Sequence, residues 1–114
     1  MNLLKVVTKA CDDLKAVDIK ILDMRGISPL VDYMVICTGR SERQVNAIVE
    51  KVREEVEKNH FQVRHIEGQR AGLWVLVDCN DVICHVFQND ERIKYSIERI
   101  WGEVPRIPIE EVLE

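Results

Sequence analysis

The chain has 114 residues, 46% of them hydrophobic and 32% charged, and 16 Lys and Arg stand against 20 Asp and Glu for a formal net charge of -4. That length fits one domain, and that balance belongs to a chain that folds rather than one that stays disordered. It excludes the basic footprint that direct binding to a nucleic-acid duplex needs, and no apolar run approaches the roughly 20 residues of a membrane span.

A mildly acidic chain is suited to a basic protein partner. Cys11, Cys37, Cys79 and Cys84 include no C-x-x-C pair, which argues against a zinc ribbon. The N-terminal residues lack the apolar core and small-residue cleavage site of a secretory signal. The expectation is a reduced, cytoplasmic protein with free thiols.

In chain order, Leu3, Leu4, Val7, Cys11 and Leu14 share one face of a helix. Asp18 to Met24 reads as a short strand, GISP breaks it, and Asp32 to Thr38 is the next strand. Val45, Ile48, Val49, Val52 and Val56 recur at helical spacing with charges between them, so a second helix runs to about Asn59. FQVRHI alternates like a strand, and EGQRAG is loop-like.

LWVLVDCNDVICHVF predicts two strands around a tight Asn80-Asp81 turn. A last helix is expected from Asp90, as N-cap, to Trp101, with Ile93, Ile97, Ile100 and Trp101 facing inward. The expected class is α/β: one domain over residues 1–102, a mixed β-sheet flanked by helices, and a C-terminal tail over 103–114.

Pairing across Asn80-Asp81 sorts the hairpin. Leu73, Val75, Val77, Cys79, Val82, Cys84 and Val86 fall on one face, small and apolar, to pack under helices. Trp74, Leu76, Asp78, Ile83, His85 and Phe87 fall on the other. Two readings of that second face stand side by side. It is the other half of a two-sided core, with Asp78 and His85 satisfying each other diagonally, or it is a partly open surface centred on Trp74.

The stretch CTGRSERQ, between strand and helix, raises a phosphate site at a helix N-terminus. It has one glycine and no lysine, short of a P-loop or a dinucleotide fingerprint. A cap fits better: Ser41 and Gln44 have capping-box spacing, with Gln44 reaching back to the Ser41 N–H, and Gly39 allows positive φ or close packing. Asp78 and Asp81 could hold a metal, but turn chemistry alone accounts for Asp81 and no third carboxylate has a place beside them. A hydrolytic site built on His85 and Asp78 lacks a nucleophile: Ser41 is in the cap, and Cys84 points to the face opposite His85. His60 and His65 have no ligand partners at recognisable spacing.

Three blocks carry a resemblance. They are TGRSERQV, with Thr38, Gly39, Ser41, Arg43 and Val45; EGQRAGLWVLVDCNDVICHVF, with Glu67, Gly68, Trp74, Asp78, Asp81, Val82, His85 and Val86; and RIKYSIERIW, with Arg92, Tyr95, Glu98 and Trp101. In these the chain resembles the ribosomal silencing factor family, also called Iojap-like or RsfS, from about Asp18 to Trp101.

The resemblance implies a degenerate nucleotidyltransferase-like fold without catalysis, and no metal or cofactor. It also implies binding to the large ribosomal subunit through its ribosomal protein number fourteen, which blocks joining of the small subunit and represses translation. The expected anchor is Trp74, supported by Glu67, Gly68, Asp78 and His85, with Tyr95 and Arg92 behind them. A homodimer of the free protein is a further expectation. The alternative is a nucleotidyl- or phosphoryl-transfer enzyme with nucleotide and metal near Ser41 and Asp78; an adaptor that delivers another factor to the ribosome is a third.

Overall fold

The structure, a computed structural model, describes residues 2–95, 99 and 102–114, and of Tyr95 the backbone alone. The chain runs α1 (Leu3–Asp13), β1 (Val17–Asp23), β2 (Tyr33–Gly39), α2 (Glu42–Lys58), β3 (His65–Glu67), β4 (Trp74–Asp78), β5 (Val82–Gln88), α3 (Asn89–Tyr95) and α4 (Ile109–Leu113). The five strands form one sheet in the order β1-β2-β5-β4-β3. β2 and β5 are parallel at its centre, and the other pairs are antiparallel. This is the mixed α/β architecture that the pattern of elements predicts.

Both long helices start on side-chain caps and stop without glycine. Asn2 accepts the Lys5 N–H at 2.8 Å, and Ser41 accepts the Gln44 N–H at 3.1 Å. At the end of α1 the Lys15 N–H meets the Asp12 carbonyl and the Ala16 N–H meets that of Cys11. His60 and Phe61 repeat the pattern on Glu57 and Val56 at the end of α2. These are Schellman closures, with Lys15 (φ 58°) and His60 (φ 67°) in the left-handed position that glycine usually takes. The expected FQVRHI strand is shorter: the Phe61 N–H is used by the helix closure, the first bond to β4 is from the Arg64 N–H to the Asp78 carbonyl at 2.7 Å, and the paired register runs from His65.

Every apolar residue of the α2 stripe is fully buried, as its spacing predicts. The stripe and the inner face of α1 cover Val35, Cys37, Val75, Val77, Cys79, Val82, Cys84 and Val86. Gly39 lets α2 start so close to β2. Its φ is not positive; instead, a Cβ there would lie 2.8 Å from Val45 Cγ2 and 2.9 Å from the Val45 nitrogen.

The box around Ser41 closes differently from the expectation. Gln44 Oε1 accepts the Arg40 N–H at 2.6 Å rather than that of Ser41, and its amide donates to the Leu14 and Lys15 carbonyls. One side chain thus ties the start of α2 to the end of α1.

The tail finds a place that the sequence leaves open. The Asp23 N–H donates to the Pro105 carbonyl, the Ile107 N–H donates to that of Ile21, and Leu22 bridges Arg106. Residues 105–107 thereby cover the outer edge of β1, which would otherwise present unpaired backbone groups. Val104 closes a second, smaller core with Leu22, Met24, Ile36 and Phe87 on the far side of the sheet.

Two core expectations and one cap need correction. Leu73 is 45% exposed, because β4 begins one residue later and Leu73 serves the sheet through its carbonyl, which accepts the Gln88 N–H. Ile93 is 69% exposed, because Arg92 takes the inward position of α3. Asp90 lies inside the first turn of α3 rather than capping it, where its charge still suits the helix dipole. Ile97, Ile100 and Trp101 lie outside the described residues.

Gly39→Ala should destabilise the fold by about 1–3 kcal/mol, since the new methyl meets backbone as well as the Val45 side chain. Urea unfolding checks this; an unchanged midpoint would show that α2 does not depend on that close approach.

Candidate functional site

The sheet register carries the second face from sequence into space. Trp74 lies opposite Phe87, Leu76 opposite His85 and Asp78 opposite Ile83, so these six share one side. β3 extends it with His65 beside Asp78 and Glu67 beside Leu76, and β2 adds Met34 and Ile36 next to Ile83 and His85.

The two halves of this face differ. Toward β1, Val104 seals Leu22, Ile36 and Phe87. On β4 and at the starts of β2 and β5, Met34, Trp74, Leu76 and Ile83 are only half-buried. The part under Val104 is thus the core side of the sequence readings, and the part around Trp74 is the partly open surface.

Trp74 is held in a defined pose. Its ring stacks on Phe87 at 4.9 Å between centroids, and its Nε1–H donates to His85 Nδ1 at 3.1 Å. That bond needs a neutral imidazole with its proton on Nε2. Burial supplies one, holding His85 down to about 4. The diagonal Asp78–His85 pair does not form. Asp78, 9% exposed, turns to its own hairpin and accepts the Asn80 N–H at 2.8 Å, an Asx turn that competes successfully for the carboxylate.

The rim is polar. His65 lies 3.3 Å from Glu67 and 3.6 Å from Asp78, half-exposed pairings of little energetic weight. Gly68 has φ +83°, and a Cβ there would run into the Trp74 carbonyl oxygen, so glycine allows the β3–β4 loop to lie against the start of β4.

The other expected site residues are placed elsewhere. Arg92, 6% exposed, reaches from α3 into the fold, donating to the Asp18 carbonyl at 2.6 Å and to Thr38 Oγ1 at 2.9 Å. Its guanidinium fastens α3 to β1 and β2 instead of facing outward. The side chain of Tyr95 lies outside the described residues.

At CTGRSERQ the anion-binding groups are largely spent on the chain itself: Ser41 Oγ on Gln44, the Arg40 N–H on Gln44, and the space over Gly39 on Val45. Asp81 is exposed beside the turn, and its carbonyl serves the Asp32 and Tyr33 N–H groups.

Among the described residues, one group of three side chains could jointly hold a metal: Cys11, Cys37 and Cys84, on the helix-covered side of the sheet. Spacing rules miss it because its members are separated along the chain by 26 and 73 residues from Cys11. Their shared inward parity on α1, β2 and β5 is the signal that could have found it.

Fold and face together define a small α/β domain that presents a half-open apolar sheet surface around one fixed tryptophan. The family profile described as "Ribosomal silencing factor during starvation" matches residues 1–114. The chain is 46% identical over 104 residues to ribosomal silencing factor RsfS of Bacillus subtilis, covering 91% of this chain and 88% of that one. A crystal structure of a Chromobacterium violaceum protein superposes with a TM-score of 0.85 at 36% identity, covering 88% of this chain and 83% of that chain. More distantly, the mouse protein named "Mitochondrial assembly of ribosomal large subunit protein 1" is 28% identical over 87 residues, 74% of this chain and 38% of that one. The chain belongs to the ribosomal silencing factor family.

The buried imidazole has a pH signature. The folded state takes up a proton on His85 less readily than the unfolded chain, which titrates near the ordinary 6.5. The stability that comes from keeping it neutral is therefore complete above about pH 6.5, and falls as pH drops toward 4. It totals about 3 kcal/mol. Urea unfolding across this range should show a shallower loss for His85→Leu than for the parent; equal slopes would rule out His85 as the source.

Proposed function

We propose that this chain binds the large ribosomal subunit through its ribosomal protein number fourteen, prevents joining of the small subunit, and so represses translation in the cytoplasm. The observation that carries the reading is the open part of the sheet face around Trp74. There a half-buried Trp74, oriented by His85 over Phe87, stands among half-buried Met34, Leu76 and Ile83. A rigid aromatic anchor in an apolar patch with a polar rim is the usual centre of a protein–protein contact.

Membership in a family named for ribosome silencing supports the ribosome as the target, and the mouse relative's name supports the large subunit. The net charge of -4 and the exposed Glu67 suit a basic ribosomal protein. In this reading Asp78 and His85 position the anchor and its hairpin, Gly68 keeps the neighbouring loop close, and Arg92 and Tyr95 belong to the helix beside them. Silencing is then steric and needs no reaction.

Trp74→Ala should keep the fold by circular dichroism and lose about 2 kcal/mol of binding, roughly 30-fold, to purified large subunits. Cosedimentation and a subunit-joining assay read this out. A folded variant that cosediments and blocks joining as well as the parent would remove Trp74 as the anchor.

A further inference from the structure

The strongest concentration of reactive groups outside that face lies in the opposite core. Cys11, Cys37 and Cys84 are each fully buried and none is in a disulfide. Cys11 Sγ lies 3.8 Å from both of the others, and all three sulfurs fall within 4.8 Å of one another.

Cysteine often packs as a small hydrophobe, and thiols in simple contact would touch at a similar distance. The same spacing also suits a set of metal ligands. A metal bonded to sulfur at about 2.3 Å spaces its sulfurs about 3.8 Å apart in a tetrahedron and about 4.0 Å apart in a plane, so little movement is needed to admit one. A buried cation also stands across the sheet, since the Arg92 guanidinium donates to Thr38, the residue next to Cys37.

We propose that Cys11, Cys37 and Cys84 form a binding site for a single soft cation of the Cu(I) class, held by three sulfurs and sealed from water. Soft thiolates select such ions. Zinc would seek a fourth ligand, and among the described residues no further His, Cys, Asp or Glu joins the group. Each metal–sulfur bond replaces an S–H bond whose proton leaves to the buffer, and no electron is transferred. The surplus negative charge lies across the sheet from Arg92, which is itself paired with the Asp18 carboxylate at 3.3 Å, and affinity rises with pH. Entry requires α1, which carries Cys11, to lift from the sheet, so loading is slow. Once bound, the ion staples α1 to β2 and β5.

The test is an anaerobic titration of the full, reduced chain with Cu(I) against bicinchoninate as a competing chelator. X-ray absorption on the loaded protein and thermal unfolding with and without the ion complete it. The expected result is one equivalent bound, sulfur-only coordination, and a raised unfolding temperature. Cys11→Ser should lose more than the roughly 100-fold that removal of a merely supporting group costs. Cys79→Ser, outside the cluster, should bind as the parent does. Nitrogen or oxygen ligands in the parent, copper fully retained by the chelator, or equal losses in the two variants would each overturn the assignment. The parent's spectrum decides the matter if Cys11→Ser fails to fold.

Discussion

The rest of the structure depends on one packing constraint: α1 and α2 lie against a sheet surface made of valine and cysteine. Small side chains let the helices come close, and the absence of a Cβ at Gly39 brings the start of α2 onto the end of β2. Because strand side chains alternate, burying Val75, Val77 and Cys79 under α2 commits Trp74, Leu76 and Asp78 to the other side. A slip of one residue would exchange the two sets and bury a carboxylate and an indole beneath the helices. The candidate binding face is therefore the complement of the core, determined by what the helices cover.

That alternation is why so much of the site is legible in the sequence. The parity of LWVLVDCNDVICHVF, once folded about Asn80-Asp81, assigns each residue from Trp74 to Phe87 to its observed face, and the α2 stripe reads directly from its spacing. What the sequence does not disclose depends on partners distant along the chain. Gln44 is bound by the carbonyls of Leu14 and Lys15 just past α1, Arg92 by Thr38 and the Asp18 carbonyl, and the tail by β1. None of these can be inferred from local periodicity. Asp78 fails in the opposite direction: a nearby backbone N–H, two residues along, outcompetes the longer-range imidazole that pattern alone suggests. The cysteines are hidden for the first reason, since each is unremarkable within its own element.

The two faces of the sheet use polarity in different ways. On the helix side the polar capacity is sulfur, weakly hydrogen-bonding and compatible with a dry core. On the open side it is an imidazole kept neutral by burial, whose one acceptor nitrogen points at the only indole it can reach within the hairpin. The Trp74–His85 bond converts a flexible aromatic side chain into part of a rigid surface, which lowers the ordering cost of any association there.

The edge of β1 has a consequence for how the protein is made. β1 is translated before every other strand, yet the segment that covers its outer edge, residues 105–107, emerges only after all five strands, and α4 docks on α1 later still. While most of the chain has emerged and the sheet can assemble, that strand keeps a row of unpaired backbone groups exposed, and the patch beneath Val104 stays open. The nascent protein is thus most prone to wrong pairing in the interval before residues 105–107 leave the ribosome.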